Sequence, residues 1–288
     1  MKLKHFLLMF LYLNTISAAL TAKVKADKDI AYTNMAVGNR NLLDVYYPEI
    51  DGKSRNVLVF IHGGSWDSGK KNIYWWLGRN FAKKDIVEVN INYRLAPGYQ
   101  YMDMASDAAA ALRWVNMNIS RYGGDPERIF VMGHSAGGHL AALINSDPQF
   151  FKEQGIKNPI RGVILNDSFG LDMHEYLLTA EKTKQTASFL QTFSTDQEAW
   201  KKGSPLSYLS NVNSPHLILV GERTYPAIEN QSRRLYELLK ANGHPAIFKQ
   251  VANKKHVGMI TQMVSGRNEM YSLIVDFMSA NQGTKKPD

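Results

Sequence analysis

Short apolar runs alternate along this chain with longer segments that have helical periodicity. Seven of the runs are apolar or β-branched nearly throughout, which is typical of strands buried on both faces of a sheet. These predicted strands cover residues 43–47, 57–62, 86–92, 129–132, 162–166, 217–220 and 246–251. The periodicity predicts helices over residues 103–120, 138–145, 227–242 and 270–280. The alternation predicts an α/β protein with a mostly parallel sheet and helices on both faces.

One segment, residues 173–203, interrupts the alternation. It is polar and helix-prone, and it carries the aromatic residues Tyr176, Phe189, Phe193 and Trp200. Because the segment lies between two predicted strands, two interpretations are open. It forms either a helical insertion that covers the carboxyl edge of the sheet, where ligands bind in open α/β folds, or a helical excursion that only packs on the sheet.

The composition is that of one globular domain. The chain has 288 residues, 44% of them hydrophobic and 11% aromatic, which is ample for a packed core. No internal repeat and no Gly/Ser/Pro-rich linker divides the sequence. We therefore expect a single domain over residues 23–281, which includes the insertion, and a disordered tail over residues 282–288.

The first residues have the three-part layout of a secretory signal. Lys2 and Lys4 precede an apolar run, Phe6 to Leu13, and residues 17–19 are small. The run is too short for a comfortable transmembrane helix, although an uncleaved anchor is the alternative. We expect a signal peptide over residues 1–22, a periplasmic or secreted protein, and no stable membrane insertion after the signal is removed.

The charge and the cysteine content exclude several kinds of protein. The net charge is +8 and the chain has no Cys, so neither a disulfide nor a lipoprotein anchor can form. The basic residues are scattered rather than gathered in a stripe with interleaved aromatics. We therefore expect no nucleic-acid partner.

The strongest chemical signal is the segment IFVMGHSAGGHLAAL, Ile129 to Leu143. An apolar strand leads into Gly133-His134-Ser135-Ala136-Gly137, and a helix of small residues follows. This is the G-x-S-x-G pattern in its required context of strand, sharp turn and helix. The glycines remove Cβ atoms that would collide in the turn, and the turn presents the hydroxyl of Ser135 above the sheet. Ser135 is the predicted nucleophile.

A second glycine-rich turn follows the predicted strand 57–62. It reads HGGSW, from His62 to Trp66, and consecutive glycines let backbone N–H groups turn toward a developing negative charge. We expect an oxyanion hole formed by the N–H groups of Gly64, Ser65 and Ala136. His62 belongs to this turn and is interpreted as a structural hydrogen-bonding residue rather than a base.

Taken together, these motifs resemble the α/β-hydrolase fold, in the esterase and lipase group related to hormone-sensitive lipase. The resemblance runs from about residue 31 to residue 277, and its nearest branches are bacterial carboxylesterases, feruloyl and acetylxylan esterases, and kynurenine formamidases. It implies an eight-stranded, mostly parallel sheet and hydrolysis of an ester or amide through an acyl-enzyme. The motifs that carry it are His62–Trp66, Asn92–Pro97, Asp107, Trp114, Gly124–Pro126 and Gly133–Gly138.

The resemblance also implies the base. After the last predicted strand, the segment KQVANKKHVGMI places His256 in a loop. In this fold the catalytic histidine lies there, and the triad follows the chain order Ser, acid, His. His256 would take the proton of Ser135 and return it to the leaving group.

The acid departs from the family pattern. In relatives it commonly lies in the loop after the strand 217–220, and the register places that slot on Thr224. A threonine cannot carry the charge that holds an imidazolium. Glu222 lies two residues before the slot. Glu229 falls on the first turn of the following helix, where a carboxylate is also favoured by the helix dipole.

Two further carboxylates follow the predicted strand 162–166, in the segment LNDSFGLDM. Asp167 emerges at the carboxyl end of this strand, where catalytic groups gather in open α/β sheets. Some members of the fold place their acid at this point. Asp167 is therefore the preferred prediction and Asp172 the second choice, while Glu222 and Glu229 stay open.

The predicted function is a serine hydrolase that cleaves a small-molecule carboxylic ester, such as an acetyl or feruloyl ester. Its triad is Ser135, His256 and Asp167, and the chemistry requires no metal and no cofactor. One alternative is an amidase similar to kynurenine formamidase, against which the signal peptide argues. The other is a non-catalytic binding protein that retains the pocket, and Thr224 is its only support in the sequence.

Overall fold

The structure, a computed structural model, describes residues 23–34 and 37–283. The expected signal peptide at residues 1–22 lies outside the described residues, and so do residues 284–288 of the expected tail. At the start of that tail, Gln282 is described and accepts a long hydrogen bond of 3.5 Å from Arg128.

Eight strands form one sheet in the order β1-β2-β4-β3-β5-β6-β7-β8. The first two pairings, β1 with β2 and β2 with β4, are antiparallel, and all the others are parallel. The eight-stranded, mostly parallel sheet is therefore confirmed. The strands are β1 Lys25–Ala31, β2 Leu42–Tyr47, β3 Arg55–Ile61, β4 Val87–Ile91, β5 Gly124–His134, β6 Ile160–Asn166, β7 His216–Gly221 and β8 Ala246–Val251.

The seven strands expected from apolar runs are all present. The eighth strand, β1, was not expected, because its sequence contains no apolar run. Its sequence KADKDIA is exposed along most of its length at the edge of the sheet, so no buried face selects apolar residues there. Strand β5 also begins earlier than expected, at Gly124, because the segment before Ile129 pairs with β3 through a register shift.

The helices lie on both faces of the sheet. The longest is α2, with 18 residues, and within the described chain no helix is long and apolar enough to cross a membrane. The four predicted helices correspond to α2, α3, α8 and α10. The helices are α1 Trp75–Ala82, α2 Tyr101–Asn118, α3 Ala136–Ser146, α4 Gln149–Glu153, α5 Met173–Thr179, α6 Lys184–Phe193, α7 Gln197–Lys202, α8 Pro226–Ala241, α9 His256–Thr261 and α10 Glu269–Ala280.

The core consists of one apolar cluster on each face of the sheet. On one face, α2, α3 and α8 cover side chains such as Val59 and Val131. On the other face, α1, α9 and α10 cover side chains such as Phe60 and Met132. Neighbouring strand residues alternate between the two clusters, which explains why the central strands are apolar at nearly every position.

The sheet order places the functional loops side by side. Strands β3, β5, β6 and β7 are consecutive neighbours and run parallel. Their carboxyl ends therefore share one edge of the sheet, where ligands bind in folds of this kind. Residues 62–66, Ser135, Asp167 and the loop after Gly221 all begin at that edge.

The insertion packs over the same edge. Its helices α5, α6 and α7 lie within residues 173–203, as expected. Two aromatic residues of α6, Phe189 and Phe193, place their rings edge-on against the indole of Trp66, with ring centroids 5.4 Å and 5.0 Å away. Because Trp66 belongs to the loop after β3, the insertion contacts that loop directly rather than only the body of the sheet.

A buried acid lies under α1, away from this edge. Glu88 on β4 is fully buried, and neither of its carboxylate oxygens has a hydrogen-bond partner among the described residues. Burial, and then the nearby carboxylate of Asp44, raise the pKa of Glu88 well above its usual value. The negative charge of Asp44 is paired with the buried ammonium of Lys71 at 2.5 Å, whereas Glu88 forms no ion pair among the described residues. Its surroundings therefore favour the neutral, protonated form of Glu88.

This state makes stability depend on pH. A carboxyl whose pKa is raised in the folded state contributes full stability below its unfolded-state pKa and loses that contribution as the pH rises toward the folded value. We expect the melting temperature of the wild type to fall as the pH rises above about 4.3, the ordinary pKa of a glutamate, toward the raised pKa of Glu88, and Glu88→Gln to flatten that fall and melt higher at the alkaline end. Thermal melts across this range check it, with the exposed Glu237→Gln as the matched control. Equal slopes for Glu88→Gln and the wild type would contradict the expectation.

Candidate active site

Ser135 sits between β5 and α3 in a strained backbone conformation, with φ 55° and ψ −124°. Such a conformation is rare for a residue with a side chain and is typical of functional turns. The flanking glycines make the turn possible. A Cβ at Gly133 would lie 2.2 Å from the carbonyl oxygen of Gly137, and a Cβ at Gly137 would lie 2.1 Å from that of Ile61. The turn thus needs glycine on both sides of Ser135.

His256 joins the hydroxyl of Ser135 to a carboxylate. It is the first residue of α9, after β8, and its Nε2 lies 2.9 Å from the Oγ of Ser135. Its Nδ1 lies 2.7 Å from the Oδ2 of Asp167. Both distances are hydrogen bonds of ordinary length. The three predicted triad residues are therefore brought together, although they lie 32 and 89 positions apart along the chain.

Asp167 is fully buried at the end of β6 and is held by the neighbouring strand. The backbone N–H of Gly221 donates to its Oδ1 at 2.8 Å. The hydroxyl of Thr224 donates to its Oδ2, the same oxygen that contacts His256. The backbone N–H of Asp167 donates to the carbonyl of Leu219 on β7 at 2.8 Å. The side chain and the backbone of Asp167 are both fixed by β7 and the loop that follows it.

The three other candidate acids are engaged elsewhere. Asp172 accepts the N–H of Glu175 as the cap of α5 and pairs with Arg234. Glu222 accepts the backbone N–H of Asn253 at 2.6 Å. Glu229 lies on the first turn of α8 and contacts Arg233 at 3.4 Å. Of the four carboxylates that the sequence left open, Asp167 is the one that contacts His256.

The residues expected to form the oxyanion hole lie around the nucleophile. Ser65 and Ala136 line the cavity next to Ser135, whereas Gly64 does not reach its wall. Among the described residues, the backbone N–H groups of Ser65 and Ala136 have no hydrogen-bond partner. The N–H of Ala136 also opens α3, so it adds the positive end of a helix dipole. These two N–H groups can receive a negative oxygen.

Two buried histidines support the site without belonging to the triad. Burial lowers the pKa of His139 to about 4, so its ring is neutral near pH 7 and has one donor and one acceptor. Its Nδ1 accepts the indole N–H of Trp66 at 3.2 Å, and its Nε2 donates to the carbonyl of Gly203 at 2.7 Å. His139 thus joins the loop after β3, the nucleophile helix and the end of the insertion.

His134 packs directly against the base. Its ring stacks on that of His256 with centroids 4.9 Å apart, and its Nε2 lies 3.2 Å from the backbone oxygen of His256. Burial, and then the neighbouring His256, lower the pKa of His134 to about 4. A neutral ring can donate to that oxygen without adding a positive charge beside the base. His62, also expected to be structural, has its Nδ1 2.8 Å from the carbonyl of Gly63.

A cavity of about 280 Å³ opens above Ser135. Its walls are mainly aromatic and apolar, and the insertion contributes an amide side chain, Gln185. The residues that line it are Ser65, Trp66, Ser135, Ala136, Phe169, Tyr176, Gln185, Phe189, Tyr225, Pro226, Ala227 and His256. Three of them come from α5 and α6, so the insertion forms a wall of the pocket. Among the described residues, no group of three His, Asp or Glu side chains is placed to hold a metal ion.

Sequence reasoning missed the contribution of Thr224. The sequence places this residue in the loop where relatives commonly carry the acid, but it does not predict that the hydroxyl donates to the carboxylate of Asp167. The available signal was the pairing of β6 with β7. Adjacent parallel strands bring the residue after β6 next to the loop after β7, and a hydroxyl in that loop can donate to a neighbouring carboxylate.

Comparison with known proteins identifies a matching family. The family model BD-FAE matches residues 43–239. This range covers more than half of the chain and contains Ser135 and Asp167, while His256 lies beyond it.

Individual relatives are esterases. The chain is 28% identical over 263 residues to isoprenylcysteine alpha-carbonyl methylesterase of Arabidopsis thaliana, covering 86% of this chain and 62% of that protein. It is 31% identical over 214 residues to esterase LipC of Mycobacterium tuberculosis, covering 69% of this chain and 52% of that protein. The chain spans between about half and three-fifths of the length of the curated relatives it matches.

Among solved structures, the fold is similar to that of esterase B from Lactobacillus rhamnosis. The TM-score is 0.76 at 20% sequence identity, and the match covers 90% of this chain and 86% of that one. At this level of identity the similarity shows the fold alone. Together with the sheet order, it confirms the α/β-hydrolase fold.

Proposed function

Because the chain belongs to the BD-FAE family of α/β-hydrolase proteins, we propose that it is a serine hydrolase that cleaves carboxylic esters. The observation that carries the proposal is the continuous hydrogen-bonded chain from Ser135 through His256 to Asp167, with contacts of 2.9 Å and 2.7 Å. Nucleophile, base and orienting acid in this arrangement are the machinery of acyl transfer. The esterase names of the relatives support the same reaction class.

Acylation begins with attack of the Ser135 Oγ on the ester carbonyl carbon, while Nε2 of His256 takes the hydroxyl proton. The carbonyl oxygen becomes negative and accepts hydrogen bonds from the N–H groups of Ser65 and Ala136. Loss of one such donor costs about 3 kcal/mol of transition-state stabilisation in serine hydrolases. When the tetrahedral intermediate collapses, the bond to the alkoxy oxygen breaks. Nε2 then gives its proton to that oxygen, and the alcohol leaves.

Deacylation repeats these steps with water. His256 takes a proton from the water, the hydroxide attacks the acyl carbon, and the bond to Ser135 Oγ breaks as Nε2 returns the proton to it. The products are a carboxylic acid and the free enzyme. In both halves Asp167 remains ionised, holds the imidazole through Nδ1 and stabilises its positive charge.

The size and lining of the pocket support the proposal that the substrate is a small ester. A cavity of about 280 Å³ lies near the lower end of the range for small-molecule sites. Its aromatic walls, Trp66, Phe169, Tyr176 and Phe189, suit an apolar or flat group. Acetyl and feruloyl esters both meet these requirements, and we propose them as the substrate class.

The proposal is tested with purified protein and short-chain p-nitrophenyl, acetyl and feruloyl esters. The wild type is expected to turn over at least one of them, and Ser135→Ala to reduce kcat by about 10⁶-fold, as removal of the nucleophile does in serine proteases. Ser232→Ala is the control, because its buried hydroxyl has no partner among the described residues, and it should retain activity.

Three outcomes separate the alternatives. Hydrolysis of N-formylkynurenine but not of esters would replace the ester proposal with an amidase. An inactive wild type whose Ser135 also fails to react with a fluorophosphonate would indicate a non-catalytic binding protein. Equal activity of the wild type and Ser135→Ala would contradict the proposed nucleophile.

We also propose that the protein is exported, on the pattern of residues 1–22. When the full chain is expressed in a bacterial host with a periplasm, the exported fraction should contain a protein shortened by about 22 residues at its N-terminus. Leu8→Arg, which breaks the apolar run, should retain the full-length protein in the cytoplasm. Intact mass measurement of both fractions checks this, and a full-length wild-type protein confined to the cytoplasm contradicts it.

A further inference from the structure

The carboxylate of Asp167 is held at both of its oxygens by the end of β7 and the loop that follows it. Gly221 is the last residue of β7, and its N–H donates to Oδ1 at 2.8 Å. Thr224 lies three residues later and donates its hydroxyl to Oδ2. His256 contacts the same Oδ2 from the other side at 2.7 Å. The donors from Gly221 and Thr224 therefore fix the plane of the carboxylate. They also determine that its Oδ2 is the oxygen that contacts His256.

Two further features constrain the loop at this point. The N–H of Thr224 donates to the carbonyl of Gly221 at 3.2 Å, which closes a turn. Pro226 then begins α8 at a position where proline favours the helix start. Thr224 is thus placed between a closed turn and the start of a helix. Both features constrain the backbone that presents its hydroxyl to Asp167.

The hydroxyl matters because Asp167 is fully buried. A buried carboxylate stays charged only when donors replace the water that it has lost. Its side-chain partners are the N–H of Gly221, the hydroxyl of Thr224 and the imidazole of His256. Of these three partners, the hydroxyl of Thr224 is the one that a substitution can remove while leaving the backbone donor and the imidazole in place.

We infer that Thr224 is a positioning residue of the triad, and the inference rests on the proposed function. It acts through Asp167 on His256, and it is not among the residues that line the cavity above Ser135. Because the acid follows β6, we expect the position in the loop after β7 to hold a neutral donor. A second carboxylate there would place two buried negative charges within hydrogen-bonding distance, which disfavours ionisation of both.

The test compares Thr224→Val with Thr224→Ser in the full-length protein. Valine has the shape of threonine and no donor, and we expect kcat to fall about ten- to a hundredfold, the range for loss of a hydrogen bond to a charged group. KM should remain near the wild-type value, because Thr224 lies outside the pocket. Serine retains the hydroxyl and should restore most of kcat. A residue with a merely structural role would not show this pattern of loss and rescue.

Thr192→Val is the matched control. Thr192 is buried, and its hydroxyl has no partner among the described residues, so the same substitution there should leave kcat unchanged. Thermal melts confirm that each variant is folded at the assay temperature. If Thr224→Val keeps the wild-type kcat, or if Thr224→Ser loses as much as valine does, the inference is wrong while the proposed function stands. If the wild type hydrolyses no ester, the proposed function fails and the inference fails with it.

Discussion

A buried carboxylate keeps its charge only where the fold brings donors to it, and the triad of this protein depends on one such group. Asp167 follows β6, and its side-chain donors come from the end of β7, the loop after β7 and the start of α9. His256 in turn reaches Ser135 at the end of β5. Three neighbouring parts of the sheet edge must be correctly placed for this chain of contacts to form. The order of β5, β6 and β7 is therefore the structural basis of the site.

The other half of the site depends on a single neutral ring. His139 accepts from Trp66 and donates to Gly203, and it can do both only because burial keeps its imidazole uncharged. The same indole is packed against Phe189 and Phe193 of the insertion. The loop after β3, the start of α3 and the insertion are thus joined by specific contacts, so the insertion contributes directly to the site.

The sequence predicts well whatever depends on local context. The central strands are recognisable because both of their faces are buried, and Ser135 because a strand, a glycine turn and a helix follow one another. β1 cannot be predicted in this way, because an exposed edge strand does not require apolar residues. The acid could be narrowed to four candidates but not chosen with certainty. Which carboxylate faces His256 depends on the pairing of β6 with β7, a contact between segments about fifty residues apart.

The most direct test of this account is the turnover of four isosteric variants measured side by side on one ester: Asp167→Asn, Asp172→Asn, Glu222→Gln and Glu229→Gln. Asp167→Asn should lower kcat by about 10⁴-fold, because an amide holds the imidazole in the wrong tautomer, and the other three should stay near the wild-type value. A wild-type kcat for Asp167→Asn, or a larger loss in any of the other three, would contradict the account.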